Sequence, residues 1–100
     1  MGNGEESYWL EASKLLEKAR RLRGYERIVF EYFLEEVSVG YLRAEMELKS
    51  KGVRDPETAI RRLEELGLLE RGRNSISLVK PLRAYLSRRR GYGLDEIYRS

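Results

Sequence analysis

Apolar side chains recur along this chain at helical spacing. After Ser7, a suitable N-cap, Tyr8, Ala12, Leu15, Ala19 and Leu22 step by four and three residues, and Trp9 and Leu16 widen the stripe. The spacing predicts an amphipathic helix over 8–24, closed by Gly24 and preceded by a flexible polar leader, 1–7, with nothing to bury. Between Tyr25 and Glu36 the apolar positions are Tyr25, Ile28, Val29, Phe30, Tyr32, Phe33 and Leu34, more than one face of a surface helix can hold. That segment is expected to be covered on two sides. A short extended piece, Val37–Val39, leads through Gly40 into a second amphipathic stretch, Tyr41 to Lys51. There Leu42, Ala44, Met46 and Leu48 are apolar, Arg43, Lys49 and Lys51 point outward, and Gly52 ends the run.

The best-specified helix start follows. Asp55-Pro56-Glu57 combines a good N-cap, a proline at the first helical position and an acid in the first turn. Ala59, Ile60, Leu63 and Leu66 form the buried face of this helix, and Gly67 stops it. Leu68 and Leu69, then Ile76, Leu78 and Val79, flank a polar tip over 70–75, the pattern of a short hairpin. Pro81 opens a last helix with Leu82, Tyr85 and Leu86 on one side. Arg88, Arg89 and Arg90 close it as a solvated end, and Gly91-Tyr92-Gly93 breaks it before a tail, 94–100. The expected fold is mainly α with a small β-hairpin, an α+β arrangement. Two helices joined by a tight turn and followed by a hairpin are the element order of a winged helix-turn-helix. That unit spans 25–80, flanked by the N-terminal helix and by a C-terminal helix and tail over 81–100.

Composition narrows the chemistry. The 100 residues contain no His and no Cys, which removes the commonest general base, the usual zinc ligands and the usual nucleophile pairs. The carboxylates sit among arginines along solvated helix faces instead of facing one another in a cleft. No enzymatic activity, metal, cofactor or small-molecule ligand is expected. Gly91-Tyr92-Gly93 has neither the length nor the following Lys of a phosphate loop. No apolar run approaches a membrane span, and neither a cleavable leader nor a lipid anchor is expected, so the expected location is cytoplasmic. Arginine outnumbers lysine fifteen to five and glutamine is absent, a composition that leans toward a heat-adapted source. The formal net charge is only +3, but residues 71–100 carry +6 and residues 55–70 carry −3.

The run Thr58-Ala59-Ile60-Arg61-Arg62-Leu63-Glu64-Glu65-Leu66-Gly67-Leu68-Leu69-Glu70-Arg71 resembles the recognition-helix-to-wing segment of archaeal and bacterial winged-helix transcriptional regulators. There a helix ending in Leu-Glu-x-Leu-Gly-Leu-Leu/Ile-x-Arg recurs. The match covers roughly residues 55 to 79, and residues 25 to 54 fit by element order. The resemblance implies binding to double-stranded DNA, with helix 56–66 in the major groove. Thr58, Arg61 and Arg62 then become candidates for base contacts. Lys49, Lys51 and Arg54 become backbone contacts, and Arg71, Arg73 and Asn74 become the wing that meets phosphate or minor groove. Against this, Glu57 and Arg61, Arg61 and Glu65, and Arg62 and Glu65 are spaced to pair along the helix as a plain ion-pair lattice, and a local −3 opposes attraction to phosphate.

Tyr8, Trp9, Ala12, Leu15, Leu16, Ala19 and Leu22 lie outside a minimal winged helix, which has little surface to cover them. A homodimer held by this stripe, with help from Leu82, Tyr85 and Leu86, is the expected assembly, presenting two recognition helices to two half-sites. The leading expectation is thus a small, dimeric, sequence-reading transcriptional regulator. The alternative is a winged-helix interaction module within a larger transcription, replication or membrane-remodelling complex, where this fold binds protein and the acidic helix face is the contact surface.

Overall fold

The computed structural model describes residues 3–88, with side chains from Trp9 onward. The expected tail 94–100, the glycine break at 91–93, Arg89, Arg90 and the side chain of Tyr8 lie outside the described residues. Eight elements follow in order: α1 (Asn3–Ala19), α2 (Gly24–Glu36), β1 (Ser38–Gly40), α3 (Tyr41–Ser50), α4 (Pro56–Glu65), β2 (Leu69–Arg71), β3 (Ser75–Leu78) and α5 (Lys80–Arg88). The three strands form one antiparallel sheet in the order β1-β3-β2. Val39 sits opposite Ile76 on one side of β3, and Arg71 sits opposite Ile76 on the other. The fold is α+β, and its order of helices and strands is that of a winged helix.

Local chemistry accounts for the helix-turn-helix. The Asp55 carboxylate accepts from the Thr58 backbone N–H at 3.2 Å and from the Thr58 hydroxyl at 2.6 Å, so the first turn of α4 is capped where Pro56 starts it. Both helices of the unit end alike. After α3, the Gly52 N–H donates to the Lys49 carbonyl and the Val53 N–H to that of Leu48. After α4, the Gly67 N–H donates to the Glu64 carbonyl and the Leu68 N–H to that of Leu63. These are Schellman motifs, each with an apolar residue packed back on the helix, and each needs a positive φ, which Gly52 (+98°) and Gly67 (+79°) supply. Val37, at the end of α2, has φ 66° without being glycine. Its carbonyl accepts from the Leu78 N–H and ties α2 to the sheet.

The core lies between α2, α4 and the inner face of the sheet. Val29, Phe30, Phe33, Leu48, Ile60, Leu63, Leu68, Ile76 and Leu78 are all buried there. The expected cover of the 25–34 segment holds for Val29, Phe30, Tyr32, Phe33 and Leu34, which are buried in a helix packed on α4, β1 and β3, whereas Tyr25 is exposed and Ile28 half-buried.

The N-terminal helix corrects the expected boundaries and the expected interface. It begins at Asn3 and so takes in most of the expected leader, and it ends at Ala19 rather than at Gly24, which opens α2. Ala12, Leu16, Ala19 and Leu22, assigned to a dimer interface, are buried within the single chain. Trp9 meets Tyr85 edge-on with ring centroids 4.9 Å apart, and Leu15 is half-buried against the same core. The reason is α5, which lies along α1 and supplies the apolar cover that a second subunit was expected to give. Lys18 fixes the helix further by donating to the Leu66 carbonyl at 2.8 Å. No described helix is long and apolar enough to cross a membrane.

Candidate functional site

The expected site residues lie on α3, the turn after it, α4 and the wing tip, with Lys51 beside Tyr32 and Glu35 of α2. Thr58, Arg61 and Arg62 are exposed on α4, Lys49, Lys51 and Arg54 border the turn, and Arg73 and Asn74 form the tip of the β2–β3 hairpin. Most of their polar groups are already engaged. The Thr58 hydroxyl is spent on the Asp55 cap. Arg61 pairs with Glu57 at 2.9 Å and Arg62 with Glu65 at 3.6 Å, while Lys49 pairs with Glu45 at 3.7 Å. Spacings of three and four residues bring these partners together on a helix surface.

Arg71 departs most from its expected role. Its Nε and Nη2 donate to the two carboxylate oxygens of Glu64 at 3.0 and 2.8 Å, a bidentate pair, and Nη2 also reaches Glu57 at 3.3 Å. The guanidinium lies over the Tyr41 ring, 5.6 Å from its centroid, and the Tyr41 hydroxyl donates to Glu57 at 2.8 Å. Tyr41, Glu57, Glu64 and Arg71 therefore form a staple that fixes the wing against α3 and α4. Its electrostatics agree. The hydrogen bond to Glu64 holds the Arg71 pKa above its ordinary value, and the bond to Glu57 raises that of Tyr41. Partial burial pushes the Glu57 carboxyl upward, but hydrogen bonds from Tyr41 and Arg61 and the charge of Arg71 outweigh it and hold the group below its usual range. Asp55 is likewise lowered, by its bonds from Thr58.

A second network lies on the other side of α3. The Tyr32 hydroxyl donates to Glu47, which also accepts from Arg43, and Arg43 extends to Glu36 at 3.4 Å. Both hydrogen bonds lower the Glu47 carboxyl, whereas burial and the bond to Glu47 raise Tyr32 well above an ordinary phenol. Among the named cations, Lys51, Arg54 and Arg73 form no ion pair with a described residue.

Between the first turn of α3 and the wing tip lies a groove of about 500 Å³, lined by Gly40, Tyr41, Leu42, Arg43 and residues 71–75. The Tyr41 N–H donates across its floor to the Asn74 carbonyl at 2.9 Å. Leu42 is 73% exposed at its rim, and Met46, one turn along α3, is 71% exposed.

Residues 23–84 match the family described as PBP2, PolB1 Binding Protein 2. The chain belongs to that family. The match takes in the winged-helix unit together with most of α5, and it leaves α1 outside. No curated protein matches the chain. The family is one named for binding a protein, and in this member the α4 arginines expected to read bases are held by neighbouring carboxylates. Two features of the surface escaped the sequence reading. One is the role of Glu57 and Glu64 as acceptors for the wing, the other the exposure of Leu42 and Met46, two of the four apolar residues of that amphipathic stretch. Leu42 and Met46 are four residues apart on one side of α3, while Ala44 and Leu48 are buried on the other. A two-residue offset is about 200° around a helix, so both pairs cannot face the core.

Proposed function

We propose that this chain is a non-catalytic replication subunit that docks on a B-type DNA polymerase, the PolB1 of its family's description, and is not a free-standing transcriptional regulator. Membership of the PolB1 Binding Protein 2 family over residues 23–84 carries this reading. The ion pairing of Arg61, Arg62 and Arg71 supports it, because a base-reading helix would have to break those pairs before it could donate to guanine. So does the local −3 of residues 55–70, which repels phosphate where a recognition helix must approach it. Size-exclusion chromatography of the chain with purified polymerase B1 tests the proposal. Co-elution as a stable complex at physiological salt is the expected result. Separate elution, together with salt-sensitive binding of the chain to mixed-sequence duplex, overturns it.

A second, subsidiary reading is contact with the duplex next to the polymerase. Lys51, Arg54 and Arg73 favour it, because they carry positive charge with no described ionic partner. Neutralising these three would weaken binding to all sequences alike and flatten its salt dependence.

A further inference from the structure

We infer that the groove between α3 and the wing tip is the docking site for an acidic segment of the polymerase that carries apolar side chains, with Leu42 and Met46 as the apolar contacts and Arg73 as the charged one. The inference rests on the polymerase-docking reading and locates its surface. Leu42 and Met46 are more exposed than any other large hydrophobic residue described, and they lie one helical turn apart. Removing two such side chains from water is a favourable term available to a partner and unused by the fold.

The charge around them selects the partner. Arginines 43, 71 and 73 line the groove and no carboxylate does. Arg43 is paired with Glu36 and Glu47 and Arg71 with Glu57 and Glu64, whereas Arg73, at the tip, meets no described carboxylate, so the unmatched charge of the groove is that of Arg73. A segment with an acid facing Arg73 and apolar groups facing Leu42 and Met46 is complementary in both respects. Duplex DNA would set phosphates against the two apolar side chains. A second copy of the chain related by a two-fold axis would set this patch against itself, and the groove lining holds no carboxylate to meet Arg73.

The test uses intact polymerase B1 and an array of overlapping peptides covering its sequence. The double variant Leu42→Ala/Met46→Ala keeps helix-forming residues at exposed positions and should fold as the parent does. It is expected to bind the polymerase about tenfold more weakly or worse, as loss of a central apolar contact does. Arg73→Glu should weaken binding and reduce its salt dependence. Leu10→Ala, at a residue 64% exposed on α1, should leave affinity unchanged and so controls for general loss of surface hydrophobicity. Retained peptides should combine acidic with apolar residues and be lost on the double variant.

Wild-type affinity in the double variant overturns the inference while leaving polymerase docking intact. Retention of basic or purely polar peptides, or of none while the intact polymerase binds, has the same effect. Self-association or duplex binding lost in the double variant, in place of polymerase binding, also overturns it. Absence of any complex between the wild-type chain and the polymerase removes both the docking reading and this site.

Discussion

Helices α1 and α3 carry similar amphipathic patterns and meet opposite fates. The stripe of α1 looks like an interface in the sequence, yet α5 covers it, so Ala12, Leu16 and Ala19 become core. The pattern on α3 looks like core, yet its apolar residues divide between two sides, and Leu42 and Met46 are left in solvent. An amphipathic stripe says that a face will be covered and not by what. The cover is decided by which other element of the chain is long enough and close enough to reach it. Here α5 reaches α1, and the described chain leaves the outer side of α3 bare.

The widest separation between the two helices should appear in stability. Leu16→Ala removes a fully buried side chain and is expected to cost about 2–5 kcal/mol, read from denaturant unfolding. Met46→Ala should stay within about 0.5 kcal/mol of the parent. Equal costs would break the comparison. Loss of the α4 cap comes next: Asp55→Ala should lower the melting temperature by about 4–8 °C, through the Thr58 bonds alone.

Acid should act on the same region. The carboxyls of Asp55, Glu57 and Glu47 are held below their ordinary values in the folded chain, so the unfolded chain takes up protons first. The stability they add is complete above the ordinary carboxylate range and is lost as pH falls through the lowered values. Melting temperature should be level from about pH 7 to 5 and fall below about pH 4. In Glu57→Gln that fall should be shallower, and an unchanged acid profile would remove Glu57 from the staple. The smallest loss among the polar contacts is expected at Arg71→Ala. Its side chain is 37% exposed, so solvent screens the pairs with Glu57 and Glu64, and the loss should be about 0.5–1 kcal/mol. Duplex affinity should not change with it, which separates a staple from a phosphate contact.

Much of the fold was legible because its signals are local. Asp55-Pro56 marks the start of α4, and Gly52 and Gly67 mark helix ends that need a positive φ. The hairpin and its polar tip follow from the placement of Leu69, Ile76 and Leu78. The Glu57–Arg61 pair was legible for the same reason, being four residues apart on one helix. Arg71 was not, because its partners Glu57 and Glu64 are brought to it only when the wing folds over α4. The fate of the α1 stripe was also hidden, since it depends on where α5 returns. Val37 has no sequence signal at all: a β-branched residue is an unusual choice for φ 66°, and the need arises from the sharp passage between α2 and β1.

One comparison tests the central claim, that the α3–wing groove and not the arginine face of α4 is the binding surface. It is a titration of polymerase B1 with two double variants, Leu42→Ala/Met46→Ala and Arg61→Ala/Arg62→Ala. The account predicts that the first loses about tenfold or more in affinity and the second binds as the parent does. The reverse order, with the α4 variant losing affinity and the α3 variant unaffected, would contradict it.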